Sequence, residues 1–328
     1  MPSTGGHSHA GPGGQRPRCR TAKKITGKNT ITIGGTVSGT VQARGSDDTV
    51  TVNATPGTPG SGGRPVDGNP GIAPSGRLDV TAAIARVTVN GSAALPRPGG
   101  GNPVGGEGNE GIITGGTGPV DINVNGGIRP GTGYLDGGSG NAGTITGGGS
   151  GTVTVTAGES GAGGVPGNLD TGIIDGGTGT TAIVVEGGDN AANLPSSGIL
   201  EGVGNDGRIT AGTGGGPVTV TGGNATGILG RGAAGNAGTI HGGPGNDTIT
   251  VTGGTTARLR TGGDGHTGTI HAGPGNDTIT LTGGLPQTVL LFDNTGNSGT
   301  VNGDEGTNTC SITPPTDSSG TVTHCTLT

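Results

Sequence analysis

The sequence predicts an all-β fold: a right-handed parallel β-solenoid of about nine coils, each of roughly thirty residues and carrying three short strands. Three observations carry this expectation. The composition is rich in glycine and almost free of aromatics, short β-branched runs recur along the chain, and an imperfect repeat has a corner marked by asparagine.

The chain holds 84 Gly among 328 residues, with one Phe, one Tyr and no Trp. A conventional globular core of this length would use many more aromatics and long aliphatics. What apolar residues there are fall in runs such as TITIGG, TVTVN, RVTVNG, DINVNG, TVTVTA, AIVVEG, TITVTGG and TITLTGG. Each alternates an aliphatic with a polar residue and stops at Gly or Asn, the signature of a short strand with one buried face. No segment has a 3.6-residue period.

Aligning on a Gly-(Thr/Ile)-(Ile/Val) step gives repeat starts at Ser38, Pro70, Glu110, Ala142, Thr171, Asp206, Ala237, Thr267 and Ser298. The two most similar units, AGTIHGGPGNDTITVTGG from Ala237 and TGTIHAGPGNDTITLTGG from Thr267, differ at three of eighteen positions. The first strand of each unit centres on Ile113, Ile145, Ile174, Ile209, Ile240, Ile270 and Val301. The second points Ile122, Val153, Ile183, Val218, Ile249 and Ile279 inward, followed by Val124, Val155, Val185, Val220, Val251 and Leu281. The third is marked by Leu135, Leu200, Leu229, Leu259 and Leu290. Two-residue hairpin turns at a regular register are missing, so a coil with three sides is expected rather than a sandwich.

Two residues ahead of the alignment glycine stand Asn69, Asn109, Asn141, Asp170, Asn205, Asn236, His266 and Asn297. These residue types best tolerate the left-handed conformation of a sharp corner. Stacked asparagines can also hydrogen-bond from coil to coil, and the pattern resembles the asparagine ladders of parallel β-helix proteins.

Three regions are expected: a basic, Gly- and His-containing tail over 1–28, the solenoid over 29–309, and a C-terminal cap over 310–328. The first thirty residues carry Arg16, Arg18, Arg20, Lys23, Lys24 and Lys28 with no acid, although the net charge of the chain is −6. An acidic body without aromatics to stack bases is a poor nucleic-acid binder. Cys310 and Cys325 either close a loop at the C-terminal end, which needs an oxidising compartment, or remain thiols. No apolar stretch has the length of a signal-peptide core or a membrane span.

The sharpest chemical motif is GGPGNDTIT, 242–250, repeated as AGPGNDTIT, 272–280. It resembles the Gly- and Asp-rich nonapeptide of repeats-in-toxin proteins, G-G-x-G-x-D-x-U-x, which binds Ca²⁺. The resemblance implies Gly242, Gly243, Gly245, Asp247, Gly273, Gly275 and Asp277 as the metal site. Glycines let carbonyls turn toward a cation, and Asp supplies a hard anionic oxygen. Stacked Asp247 and Asp277 would repel unless a cation sits between them. The family carries such nonapeptides in tandem, whereas here there is one per coil and only two are full. Asn-Asp as an ordinary turn pair before a strand is the competing reading.

His241 and His271 occupy equivalent positions, either as exposed polar residues or as a stacked pair able to hold a transition metal. The outward Thr residues of the second strand form an array resembling the ice-binding face of some β-solenoid antifreeze proteins, broken by Asp121, Asn123, Asn125, Val184 and Glu186. Asp136 and Glu201 stand in equivalent places on the third strand, with Asp170 nearby. They are the candidate catalytic carboxylates if the chain resembles the polysaccharide lyases and glycosidases built on β-helices. Basic residues and aromatic sugar platforms are scarce. The sequence therefore favours a non-catalytic, extracellular or surface scaffold, adhesin-like, with Ca²⁺ at the GPGND loops and a cell-surface polysaccharide or protein as partner. The alternatives are a carbohydrate-active enzyme and an ice-binding solenoid.

Overall fold

The computed structural model describes residues 27–56, 67–95, 103–128, 136–160, 164–191, 202–226, 230–256, 261–285, 294–314 and 319–328. Over these residues the chain winds between two all-parallel sheets, and no helix occurs among them. One sheet has eleven strands, from Lys28–Gly34 to Thr326–Leu327, and the other has ten, from Thr40–Ala43 to Thr321–Thr323. Neighbours in each sheet are alternate strands of the chain. That order is the mark of a β-solenoid, since hairpins would pair consecutive strands in antiparallel fashion.

The number of coils departs from the expected nine. Strands outside the aligned repeats, such as Lys28–Gly34 and Thr321–Thr323, extend the stack at its two ends. The third strand falls largely on residues outside those described. On that side the described residues pair only by single bridges, Val104 with Asp136 and the run Ser160, Asn190, Ala225, Thr256. Ser160, Asn190, Ala225 and Thr256 each follow the end of a strand of the eleven-stranded sheet at the same spacing, after Thr156, Glu186, Thr221 and Thr252. Leu135, Leu200, Leu229, Leu259 and Leu290 lie outside the described residues.

The core consists of stacked rows. Leu78, Ile113, Ile145, Ile174, Ile209, Ile240, Ile270 and Val301 pair in register through one sheet. In the other, Val87, Ile122, Val153, Ile183, Val218, Ile249, Ile279 and Cys310 form one row. All of these side chains are buried. Strands of three to six residues suffice because each inward aliphatic meets its counterpart one coil away, and each contributes about 1.5–3 kcal/mol of burial. A coil by itself would leave both faces of every row in water.

Between the rows runs a buried polar ladder. Asn109 Nδ2 donates to Asn141 Oδ1 at 2.8 Å, Asn141 to Asn168 at 2.8 Å, Asn168 to Asn205 at 2.7 Å and Asn205 to Asn236 at 2.6 Å. The same amides bond locally: Gly111 N–H donates to Asn109 Oδ1 at 3.2 Å, and Asn109 Nδ2 reaches the Gly111 carbonyl at 3.3 Å. An amide is needed here because the position must both donate and accept in a dry environment.

Three expectations about this corner change. Asp170 is replaced in the ladder by Asn168, because Leu169–Thr171 form an extra turn closed by a 2.7 Å bond from Gly172 N–H to the Leu169 carbonyl. Asn69 is also outside it. Val37 and Ile72 hold the first two places of the column, while Asn69 Nδ2 donates to the Thr55 carbonyl. Nor is the corner left-handed: among the described non-Gly residues, positive φ occurs at Asp304 and His324. The asparagines are chosen for their side-chain bonds, not for their backbone tolerance.

His266 substitutes for Asn at the next rung. Asn236 Nδ2 lies 3.0 Å from His266 Nδ1, and His266 Nε2 lies 3.1 Å from the Thr300 carbonyl. An amide donor on one side and a carbonyl on the other fix the neutral tautomer with its proton on Nε2. Burial pushes the His266 pKa below its ordinary 6.5. The folded state thus binds fewer protons than the unfolded, and this stabilisation is complete above about pH 6.5 and lost as pH falls below it. His266→Asn restores the amide found at the other rungs. The gap in melting temperature between wild type and His266→Asn is therefore expected to widen in favour of the variant from pH 7 to pH 5. Parallel melting curves would contradict the assigned tautomer.

The C-terminal end is closed by a disulfide between Cys310 and Cys325, 15 residues apart. Cys310 belongs to the strand Thr309–Thr313, and Cys325 immediately precedes Thr326–Leu327, so the bridge ties together neighbouring coils. Closing a loop of this length contributes about 3 kcal/mol in the chain-entropy treatment. Cys325→Ser is expected to lower the denaturant midpoint, and a thiol reductant should lower that of the wild type to a similar extent.

Candidate metal centre

Three loops of the same form stack at one corner near the C-terminal end, over 242–247, 272–277 and 303–308. Their second and fourth positions turn on positive φ: Gly243 at 95°, Gly245 at 120°, Gly273 at 92° and Gly306 at 127°. A Cβ on Gly273 would also lie 2.1 Å from the Gly243 carbonyl oxygen. Asp304 takes the position of Gly243 and Gly273 with φ 56°, held by Asn302 Oδ1, which accepts its N–H at 3.1 Å.

The Asn-Asp pair stitches the loops in opposite directions. On the outside, Asn246 Oδ1 accepts the N–H of Asn276 and Asn276 Oδ1 that of Thr307, each at 2.8 Å. On the inside, Asp247 Oδ1 accepts Gly216 N–H at 3.1 Å, Asp277 Oδ1 accepts Asp247 N–H at 2.9 Å, and Asn308 Oδ1 accepts Asp277 N–H at 2.8 Å. Half of the motif is therefore explained by coil-to-coil bonding.

The other half is not. Asp247 and Asp277 are each 1% exposed, and the Oδ2 atom of each is buried with no hydrogen-bond partner. Burial pushes the Asp247 pKa up to about 7, against the lowering effect of the Gly216 N–H, and the neighbouring Asp277 charge adds to the rise. Asp277 is raised as well, by burial first. The free oxygen of Asp247 lies beside backbone: a Cβ on Gly242 would lie 2.0 Å from the Ala272 carbonyl oxygen and 3.1 Å from Asp247 Oδ2. The donor set is thus entirely oxygen, with one unpaired carboxylate oxygen in each of the loops 242–247 and 272–277, and fits a hard cation such as Ca²⁺. No group of three His, Cys, Asp or Glu among the described residues is placed to hold a metal, so backbone oxygens would complete the set.

His241 and His271 immediately precede two of these loops. His241 and His271 stack with ring centroids 5.3 Å apart and planes within 8°, and His271 Nδ1 is 3.7 Å from Asp304 Oδ2. Asp136 Oδ1 accepts the Ser160 hydroxyl at 2.8 Å. Glu201 falls outside the described residues. The Thr array is in register over the last coils, with Thr250 beside Thr280 and Ser311, and Thr252 beside Thr282 and Thr313.

A carboxyl pair that sequence reasoning passed over is Glu107 with Glu110. Burial pushes Glu110 up to about 7, assisted by the charge of Glu107 and a side-chain hydrogen bond to it. The only signal was their spacing in GEGNEG.

No protein-family model matches this chain, and no curated protein or solved structure matches it significantly. The architecture itself defines the class, a parallel β-solenoid repeat protein. At the loops, Gly273→Ala places a side chain on both a positive φ and a carbonyl contact and is expected to cost about 1–3 kcal/mol. Gly34→Ala, whose Cβ meets nothing within 4 Å, should be nearly neutral, and comparing the two denaturation curves checks the loop geometry.

Proposed function

We propose that this protein is a non-catalytic solenoid scaffold of the secreted or cell-surface kind, whose C-terminal coils are locked by Ca²⁺ at the GPGND loops. The observation that carries this reading is the pair of buried, unpartnered Oδ2 atoms on Asp247 and Asp277. Asp247 and Asp277 would hold the ion together with loop carbonyls, and Gly242, Gly243, Gly245, Gly273 and Gly275 would let the backbone approach it. Ca²⁺ supplies the positive charge that two stacked, desolvated carboxylates require.

The Cys310–Cys325 bridge supports an oxidising compartment outside the cytosol. A rigid rod of stacked coils suits a spacer or adhesin-like module, and its repeated polar faces suit contact with a cell-surface polysaccharide or protein. The carbohydrate-active alternative has less support, since Asp136 is bonded to Ser160.

The test is thermal unfolding in chelator and in saturating Ca²⁺. A free ion concentration one hundred times Kd is expected to stabilise the wild type by about 2.7 kcal/mol. Asp247→Ala/Asp277→Ala should abolish the response. A wild-type midpoint indifferent to Ca²⁺ would remove the ion from the proposal, and release of reducing sugars from a polysaccharide panel would remove its non-catalytic part.

A further inference from the structure

One buried corner position is solved in three ways along the stack. Strand register places Asp48, Ala85 and Val120 in this column near one end, and Thr181, Gly216, Asp247, Asp277 and Asn308 toward the other. At Asp48 both carboxylate oxygens receive donors: Oδ1 from Asn29 Nδ2 at 2.7 Å and Oδ2 from Gly45 N–H at 2.6 Å. At Asn308 the amide nitrogen gives instead of receiving. Its Nδ2 donates to the Gly303 carbonyl at 2.6 Å and to the His324 carbonyl, one coil further, at 3.2 Å.

Asp247 Oδ2 stands where Asn308 carries that nitrogen. A Cβ on Gly303 would meet the His324 carbonyl oxygen at 2.1 Å and Asn308 Nδ2 at 2.8 Å, and a Cβ on Gly242 would meet the Ala272 carbonyl oxygen at 2.0 Å and Asp247 Oδ2 at 3.1 Å. In both slots a carbonyl oxygen of the next coil lies at the side-chain atom. A positive group belongs there. Asn308 supplies it with its own N–H, whereas Asp247 puts an acceptor beside an acceptor, and the Oδ2 atoms of Asp247 and Asp277 are left without a donor.

We infer that Asn308 is the built-in terminator of the ion column: its side-chain amide takes the place that Ca²⁺ takes beside Asp247 and Asp277, so the last loop closes without metal while the two before it need one. This inference rests on the calcium reading of the loops and extends it to the residue that ends the series. Asp and Asn have nearly the same shape, so exchanging them should exchange metal dependence rather than fold. Both keep Oδ1 for the N–H of the preceding coil, which Ala would lose.

Two exchanges test this, read by bound Ca²⁺ per chain after equilibrium dialysis and by thermal midpoints in chelator. Asp247→Asn/Asp277→Asn should bind fewer ions than wild type and melt in chelator at or above the wild-type temperature, as metal-free loops closed by amides. Asn308→Asp should bind one more ion than wild type, melt lower in chelator and regain its midpoint with Ca²⁺. If the wild type binds no Ca²⁺, the calcium reading itself falls. If it does bind but the Asp→Asn pair melts below it in chelator, or Asn308→Asp gains no ion, calcium stands and the terminator role of Asn308 is overturned. The Asp→Asn pair decides the matter even if Asn308→Asp fails to fold.

Discussion

In-register parallel stacking is the constraint on which everything else in this molecule depends. Each residue of a coil lies beside its counterpart in the coils above and below, at the strand spacing of about 4.8 Å. Whatever chemistry a position has, it must be compatible with a near copy of itself. Aliphatic rows meet this demand without further provision, because a branched side chain packs on another of its kind. The Ile145, Ile174, Ile209, Ile240 and Ile270 row is the plainest case, buried throughout.

Polar positions meet the same demand only if the side chain both donates and accepts along the stack. Asn does so, which is why the inner ladder runs from Asn109 to Asn236 by one side-chain bond per coil. Histidine manages it as a neutral tautomer, with different atoms facing the two neighbours, and its burial without charge is the consequence. Asp cannot, since an ionised carboxylate only accepts. Asp48 is tolerated because Asn29 and Gly45 supply donors, while Asp247 and Asp277 lack a donor for their second oxygens. A self-complementary amide thus closes a corner alone, and a carboxylate creates a demand for positive charge.

The same logic accounts for the glycine content. Loop carbonyls from successive coils approach positions where a side chain would collide, as at Gly273 against the Gly243 carbonyl. With interior volume this small, bulky aromatics have no place in the stack. The disulfide ties the strand Thr309–Thr313 to the segment that pairs beside it.

The sequence by itself determined the all-β class, the inward rows of both sheets and the equivalence of the GPGND loops. These are properties of residue type and period, and a repeat writes them several times over. It also marked the Asn corner and its coil-to-coil bonding, although with an added left-handed conformation that is not there and with Asp170 and Asn69 in place of Asn168 and Ile72. Counting back from a glycine cannot see a two-residue turn inserted outside the ladder. Only the tertiary structure decided which polar atoms meet which. That Glu110 is buried beside the charge of Glu107, that Ser160, Asn190, Ala225 and Thr256 pair by single bridges, and that Asp247 Oδ2 and Asn308 Nδ2 occupy one kind of slot all depend on the alignment of coils about thirty residues apart. Local propensity is blind to that alignment, because coil-to-coil hydrogen bonds set it.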